Sequence, residues 1–507
     1  MNHLMVLPVA LPIVIGAVQL LLVRAGRLAQ RTLAVGAVLA LLAIAIRLLV
    51  LADTDQIRVY AVGDWMPPLG IVLVLDRLSA YMLVLAALVA LGSMAYAVRG
   101  WDQAGPNFHA LFMFQVAGIN GAFLTGDLFN LFVFFEILLI ASYCLMLHGG
   151  GEGRLRAGTI YVAMNLVGSA LFLMTVGLLY GITGTLNMAD LARVVAGLEP
   201  GHAALAQIGG VLLLVVFGLK AAVVPLHFWL PDGYAAASAP VAALFAIMTK
   251  VGAYCILRIF TLVFGPDAGE LAWLARDWLL PAALVTLWAG MVGVMASRAL
   301  RELVTFLLIA SVGTLLIAFA LSSEEAITAG LYYLAHSTLV TAGLFLLLES
   351  IAAQRGGLGT RLIPGPRLRQ PYLLGAGFLA AAVALLGLPP LSGFIGKMML
   401  LQSAHDSGAA AWIFASVLGS ALLGLIGCSR AGSIVFWTVA DEPEARRRGA
   451  GGALLPGLAL IGSSAVLTVG AGPVVDYAGA TAAQVSHPAG YVQAVLEFRP
   501  TAAEPAP

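Results

Sequence analysis

Long apolar runs alternate with short polar segments along almost the whole chain. A transmembrane helix needs about 20 mostly apolar residues, and on that measure the pattern predicts about fourteen spans. Because a helix satisfies its own backbone hydrogen bonds in lipid, the predicted fold is an all-α polytopic membrane protein. The spans are predicted at residues 3–23, 32–52, 78–98, 108–125, 127–147, 159–180, 204–225, 238–264, 279–297, 302–321, 325–350, 371–400, 409–437 and 452–471.

The composition excludes the other broad classes of protein. The 507 residues are 61% hydrophobic and 10% charged, with a mean hydropathy of +1.00, whereas soluble domains carry roughly 25% charged residues. The alternating pattern of a membrane β-barrel is absent from the sequence. A net charge of +1 without a long basic run gives no sign of a nucleic-acid partner. The first apolar segment lacks a basic region before it, so we interpret it as a span and not as a cleaved signal.

The cysteines offer no ligand set for a metal or cofactor. Cys144, Cys255 and Cys428 lie far apart, each in an apolar stretch, and no C-x-x-C motif occurs. Iron–sulfur clusters, covalently attached haem and cysteine-based zinc sites typically use such spacings. We therefore expect no cofactor, and we expect the three cysteines to act as small buried hydrophobic residues.

Arginine is distributed unevenly over the loops between the predicted spans. The odd-numbered loops hold fifteen arginines, whereas the even-numbered loops hold four. The positive-inside rule places the odd-numbered loops in the cytoplasm, which predicts a multi-pass protein of the bacterial cell (inner) membrane with both termini on the outer side. The fifteen are Arg24, Arg27, Arg31, Arg99, Arg154, Arg156, Arg298, Arg301, Arg355, Arg361, Arg367, Arg369, Arg446, Arg447 and Arg448.

Two of the predicted spans are interrupted. Span 7 carries Pro225 followed by "HFWLPDG", and span 12 carries "GLPPLSG". Irregular backbone survives at membrane depth only where protein covers it or a wet cavity adjoins it, and broken helices at matching places in two halves indicate inverted repeats with a transport site. The resulting division is residues 1–105 (helices 1–3), 106–264 (first repeat, helices 4–8), 265–438 (second, inverted repeat) and 439–507 (helix 14 and a peripheral tail).

Five titratable groups lie inside the predicted spans. They are Glu136, Lys220, Lys250, His336 and Lys397. A charge at the bilayer centre costs about 2.5–3.5 kcal/mol on insertion scales and normally marks an ion or proton pathway. The chain has only three lysines against 23 arginines, and a buried lysine releases its proton whereas an arginine does not. This choice of cation favours proton transfer inside the membrane.

Structural explanations stay open for several of these residues. Lysine side chains can snorkel to the interface, and this alternative is strongest for Lys250, which is predicted nearer a helix end. His336 could be a satisfied packing histidine. His227 and Trp229, just after Pro225, could belong to an interfacial aromatic belt instead of a relay.

Three motifs carry a resemblance to a known family. They are "GDLFNLFVFFEILLIASYCLMLHGG" (126–150), "FGLKAAVVPLHFWLPDGYAAASAPVAALFAIMTKVGAYCILR" (217–258) and "GLPPLSGFIGKMMLL" (387–401). The chain resembles, over nearly its whole length, the antiporter-like subunits shared by respiratory complex I, membrane-bound hydrogenases and Mrp-type cation/proton antiporters. The first motif and the tail are most similar to the D subunit of the Mrp type.

The resemblance implies roles for the buried residues. Glu136 corresponds to the family glutamate of the fifth helix and is expected to form an ion pair with Lys220 of the broken seventh helix. Lys250 corresponds to the central relay lysine, His336 to a relay histidine, and Lys397 to the terminal residue of the broken twelfth helix. The implied function is proton translocation in a multisubunit Na⁺ or K⁺/proton antiporter, with other membrane subunits as partners and no enzymatic activity. The alternative is a proton-pumping subunit of a redox enzyme; a purely structural subunit fits the buried charges poorly.

Overall fold

The computed structural model describes residues 2–22, 26–54, 56–440 and 454–499, and within these ranges the chain is mostly helical. A short antiparallel hairpin joins the second and third helices, with β1 (Arg58–Ala61) paired to β2 (Val72–Leu75). The helices are α1 (Leu7–Leu21), α2 (Arg27–Ala52), α3 (Arg77–Ala97), α4 (Phe108–Leu124), α5 (Leu128–Met146), α6 (Glu152–Thr183), α7 (Met188–Val195), α8 (Pro200–Ala221), α9 (Trp229–Ala236), α10 (Ala239–Phe245), α11 (Met248–Leu262), α12 (Arg276–Ala296), α13 (Leu300–Leu321), α14 (Glu324–Arg355), α15 (Pro371–Leu386), α16 (Ser392–Ala404), α17 (Ala410–Gly432), α18 (Leu454–Val469), α19 (Ala471–Ser486) and α20 (Ala489–Leu496).

The helices confirm the predicted class of polytopic all-α membrane protein. In the described ranges, ten helical segments are long and apolar enough to cross a membrane, or eleven if α18 and α19, bent by 83° to each other, form one span. Each of the fourteen predicted spans contains a helix, but those in spans 1, 4, 12 and 14 have only 13–17 residues. The count of fourteen crossings therefore stays a prediction.

The centre of the molecule is built from α10, α11, α13 and α14. The apolar windows of Ala239–Leu262 and Glu324–Leu358 are 100% buried and that of Leu300–Leu321 is 94% buried, against 33% for Arg27–Ala52. Helices that face lipid keep an uncovered apolar side, whereas these inner helices are covered on every side by protein. Lys250 and His336 lie on these enclosed helices, so their side chains have no direct contact with lipid.

Both predicted breaks are present. Span 7 divides into α8 and α9, and span 12 divides into α15 and α16. Each break lies in the fourth span of its predicted repeat, while the inverted relation of the two repeats stays a prediction.

Residues 473–499, part of the tail expected to be peripheral, pack against the rest of the described chain. Tyr491 of α20 is 4% exposed, and its ring lies 5.2 Å from the guanidinium of Arg258. Arg258 also pairs with Asp76 at 2.6 Å, and Asp76 caps the start of α3. The tail is held here because one buried ion pair and an aromatic ring join α3, α11 and α20.

The orientation in the membrane stays a prediction. Arg24 and Arg446 to Arg448, which contribute to the arginine asymmetry, lie outside the described residues.

Candidate functional site

Lys220 lies in the last turn of α8, where span 7 breaks. The chain leaves the helix through Ala222, which has a left-handed φ of 59°. The indole of Trp229 then donates a 3.1 Å hydrogen bond back to the carbonyl of Leu219. This bond satisfies one of the carbonyls that a helix end leaves open. With 2% exposure, Trp229 supports the break and does not belong to an interfacial belt, while His227 is only partly buried.

The Lys220 ammonium is bound by neutral oxygen atoms. Its Nζ donates to the Asn165 carbonyl at 3.2 Å, with the Asn165 Oδ1 and the Ser169 Oγ both at 3.5 Å. The side chain is 4% exposed, and a Cβ placed on Gly168 would lie 3.4 Å from Nζ. Asn165, Ser169 and Gly168 share one face of α6, which therefore forms the lysine's cradle.

The ion pair expected between Glu136 and Lys220 is not formed in this structure. No ion pair within the described residues includes either side chain, and the buried Oε1 of Glu136 accepts no hydrogen bond from them. The two groups are nevertheless close enough to interact electrostatically, and Nζ lies 5.9 Å from the ring centroid of Phe135, the residue before Glu136. The carboxylate is thus positioned beside the lysine without contacting it.

Lys250 is fully buried on α11. It is 0% exposed, and its Nζ donates to the Ser311 hydroxyl of α13 at 3.2 Å. Such burial is inconsistent with snorkelling to the interface. Gly252, half a turn later, lets α11 touch the broken end of α8, since a Cβ there would lie 2.6 Å from the Ala221 nitrogen. The segments that carry Lys220 and Lys250 are therefore in direct backbone contact.

His336 lies at the middle of α14 beside the second break. It is 0% exposed, and its Nδ1 makes a 2.7 Å hydrogen bond with the Ser392 hydroxyl at the start of α16. Ser392 continues at 2.7 Å to the Ser464 hydroxyl of α18. Nε2 makes no hydrogen bond of good geometry with a described residue, although the Ala384 carbonyl lies nearby.

Lys397 of α16 forms a hydrogen bond across the second break. Its Nζ donates to the Leu386 carbonyl, the last residue of α15, at 2.8 Å, and the side chain is 5% exposed. The chain between the half-helices turns through Gly387, which has a φ of 79°. A cation at a helix C-terminus is favoured by the open carbonyls and the helix dipole. Lys397 and His336 are close enough to interact electrostatically.

The five expected residues thus form three neighbouring groups. Glu136 and Lys220 flank the first break, Lys250 with Ser311 lies on the central helices, and His336 with Lys397 flanks the second break. Among the described residues no direct side-chain hydrogen bond joins one group to the next, so proton transfer between them would need water. Their polar partners were not predicted from the sequence, although a polar residue inside an apolar run was a usable signal. These partners are Asn165, Ser169, Ser311, Ser392 and Ser464.

Two arginines hold the far end of α9. Arg154 of α6 donates to the Ala236 carbonyl at 2.9 Å, and Arg301 of α13 donates to those of Ala235 and Ala237 at 3.2 and 3.1 Å. Arg301 also forms an ion pair with Glu349 of α14. Three successive carbonyls at one helix end are therefore satisfied by side chains from both predicted repeats.

We expect Gly393→Ala to disrupt the second break. A Cβ on Gly393 would lie 1.8 Å from the Ala384 oxygen and 2.8 Å from the His336 Nε2, so α16 would have to move away from α15 and α14. Overpacking of this kind typically costs about 1–3 kcal/mol. The thermal midpoint and the yield of the assembled protein should both fall. Gly177→Ala on α6, where a Cβ meets nothing within 4 Å, is the control, and equal behaviour of the two variants would contradict the expectation.

Several known proteins are similar to this chain in sequence and in fold. A family model described as "NADH:quinone oxidoreductase/Mrp antiporter, TM" matches residues 125–423. The D subunit of a probable K⁺/H⁺ antiporter of Rhizobium meliloti is 40% identical, with 98% of each chain covered. The D subunit of the Na⁺/H⁺ antiporter of Alkalihalophilus pseudofirmus is 36% identical over 98% of this chain and 100% of that protein. A chain in the structure of the Mrp complex from Dietzia sp. superimposes with a TM-score of 0.87 at 29% identity, covering 98% of this chain and 99% of that one.

These similarities and the two lysine-bearing helix breaks place the chain in a class of polytopic transport proteins, and it belongs to the NADH:quinone oxidoreductase/Mrp antiporter family. Within that family the two full-length relatives named above are D subunits, which confirms the resemblance to the Mrp type. They are named as antiporter subunits, hence transporters and not enzymes. The chain is a multi-pass integral membrane protein, and the Mrp complex that contains its structural match is a multisubunit assembly.

Proposed function

We propose that this chain is the proton-translocating D-type subunit of a multisubunit monovalent cation/proton antiporter, and that protons cross it along Lys220, Lys250, His336 and Lys397. The observation that carries the proposal is the environment of the three lysines. Each is at most 5% exposed, and their ammonium groups donate to neutral carbonyl, amide or hydroxyl oxygens. A buried ammonium without a carboxylate contact can lose its proton, because desolvation disfavours its charge.

Glu136 is proposed to control the first transfer. While its carboxylate lies apart from Lys220, as in this structure, the lysine is held by neutral groups alone and release toward Lys250 is favoured. When the carboxylate closes onto Nζ, the opposite charge favours the protonated lysine. The membrane potential supplies about 2.3 kcal/mol per charge per 100 mV, which is comparable to the few kcal/mol at stake in a partly buried ion pair.

The architecture supports a lateral route at mid-membrane. The backbone contact of Gly252 with Ala221 brings the first and second groups together. Ser311, the partner of Lys250, and Thr314 lie one turn apart on α13. Thr314 is next to Tyr333 of α14, and the ring centroid of Tyr333 is 5.8 Å from that of His336. We propose that water completes the links between these polar side chains. We also propose that residues 106–264 and 265–438 are inverted repeats, and that both termini face outward.

The exchanged cation is left open between Na⁺ and K⁺, since the relatives are named for one or the other. No group of three or more His, Cys, Asp or Glu side chains that could hold a metal ion occurs in the described ranges. The alternative function, a proton-pumping subunit of a redox enzyme, uses the same residues and is supported by the breadth of the family description and by structural matches to chains of respiratory membrane complexes. The full-length antiporter relatives favour the first function.

The test is proton flux in everted membrane vesicles of an antiporter-deficient host that expresses this chain with its partner subunits. Adding NaCl or KCl to energised vesicles should release the quenched fluorescence of a pH-gradient dye and identify the cation. Lys220→Ala and Glu136→Ala should abolish the response while the complex still assembles. Lys220→Arg should also fail, because arginine keeps its proton. Full activity of Lys220→Ala would refute the relay, and no response to either cation from an assembled wild-type complex would favour the redox-driven alternative.

A further inference from the structure

A slot of about 710 Å³ opens between α15 and α17, outside the proton pathway. One wall is the face of α15 that includes Tyr372, Phe378 and Leu386, and the opposite wall is the face of α17 that includes Leu425 and Cys428. The slot follows α15 along its whole length. Fifteen steps at about 1.5 Å give a depth of roughly 22 Å, which exceeds half of a hydrocarbon core about 30 Å thick.

Small residues keep the slot open without drawing the helices together. A Cβ on Gly375 or Gly432 would meet only an aromatic ring, at 3.6 and 3.5 Å. At a closed helix pair such as α12 and α13, by contrast, a Cβ on Gly290 would lie 2.6 Å from backbone. The glycines of α15 and α17 thus provide room between the helices.

The slot is charged at one end and mostly apolar along the rest, where Ser429 and Ser433 are the polar lining residues. Arg367 lies at its mouth, and this exposed guanidinium makes no hydrogen bond or ion pair with another described residue. Tyr372 and Trp437, also at the mouth, are 86% and 77% exposed, as expected of aromatic residues at the lipid headgroup level. The inner end is formed by Leu386 and Leu388. A ligand that fits has one anionic end and a long apolar body.

We propose that this slot binds an anionic glycerophospholipid, with an acyl chain between α15 and α17 and the phosphate against Arg367. The charge of Arg367 favours an anionic headgroup over a zwitterionic one.

The bound lipid would border the second helix break. Leu386 lines the inner end of the slot, and its carbonyl holds the Lys397 ammonium at 2.8 Å. Occupancy would therefore stabilise the position of α15 against which Lys397 rests. This consequence for transport rests on the proposed function, whereas binding of the lipid does not.

The test is native mass spectrometry of the complete purified complex after exchange into phosphatidylcholine with added phosphatidylglycerol. Wild type should retain phosphatidylglycerol, and Arg367→Gln should bind it about five-fold more weakly, the effect of one basic residue near an anionic lipid surface. Arg369→Gln removes the same charge two residues away, outside the slot, and should bind as wild type. Ala376→Trp, which fills the slot from an exposed position, should lose the lipid, whereas Leu373→Trp on the exposed face outside it should not.

Several results would overturn the proposal. Equal losses in Arg367→Gln and Arg369→Gln would mean diffuse surface charge. Retention by Ala376→Trp would place the lipid elsewhere, and the absence of bound lipid in wild type would show that the slot is not a lipid site in the assembled complex. Lipid retention is measured without transport, so its loss and a failure of the proton pathway are distinguishable. If both proposals hold, vesicle proton flux should rise with the anionic lipid fraction in wild type and less in Arg367→Gln.

Discussion

Lys250→Met is expected to abolish proton transport and leave the protein at least as stable as wild type. Lys250 is 0% exposed, and its ammonium donates to the hydroxyl of Ser311, so the charge is buried at a cost without a compensating opposite charge. Methionine has a similar length and no charge, and it removes that cost. A positioned proton-transfer group typically contributes at least about 10²-fold to a rate. Vesicle proton flux should therefore fall by about 10²-fold or more, while the thermal midpoint of the purified complex is unchanged or raised.

Two companion variants separate charge from proton transfer. Lys250→Arg keeps a cation in place but does not release its proton, so its flux should be as low as that of Lys250→Met. Ser311→Ala removes the hydrogen-bond partner and should reduce flux only in part, because the lysine itself remains. Antiport at the wild-type rate in Lys250→Met would show that the central lysine carries no protons. A lowered thermal midpoint would instead show that the ammonium is structurally required.

Arg258→Met is expected to destabilise the fold strongly without touching the proton pathway. Arg258 and Asp76 are joined at 2.6 Å with side-chain exposures of 7% and 1%. Removing one partner of a buried ion pair typically costs about 3–5 kcal/mol, because the other charge stays buried. The loss should be visible as a lower thermal midpoint and a smaller fraction of assembled complex on size-exclusion chromatography.

The control is Arg193→Met, in an ion pair with Asp190 at the same 2.6 Å but with the arginine 66% exposed. Exposed pairs are worth about 0–1 kcal/mol, so this variant should assemble normally. The double variant Asp76→Asn with Arg258→Met should recover part of the loss, because no unpaired charge remains. If Arg258→Met and Arg193→Met behave alike, the buried pair contributes little, and α20 is held by apolar contacts alone.

The sequence is informative where a strong physical constraint acts on each residue separately. Apolar runs predict the helices, and prolines and glycines predict the breaks at Pro225 and at "GLPPLSG", because lipid tolerates few alternatives. Lysine in an apolar run likewise predicts that Lys220, Lys250 and Lys397 are buried. These inferences need no knowledge of which helices are neighbours.

Pairwise contacts could not be predicted in the same way. The neutral cradle of Lys220 depends on how α6 faces α8, and the bond between His336 and Ser392 depends on how α16 meets α14. The packing of α20 had no signal either, since Tyr491 is an ordinary residue in an Ala- and Pro-rich segment until Arg258 lies beside it. Short helices such as α9 and α20 also lack the length that makes an apolar run recognisable.

The arginines at the end of α9 set an order of events during synthesis. Residues 235–237 are translated before Arg301, and Arg301 is the donor to two of their three carbonyls. Until Arg301 arrives, these two carbonyls need another donor such as water, because a buried backbone group without a partner is costly. The end of α9 therefore acquires its final hydrogen bonds only after the start of α13 has been synthesised. At this position of the protein, folding of an earlier segment is therefore completed by a residue that is translated later.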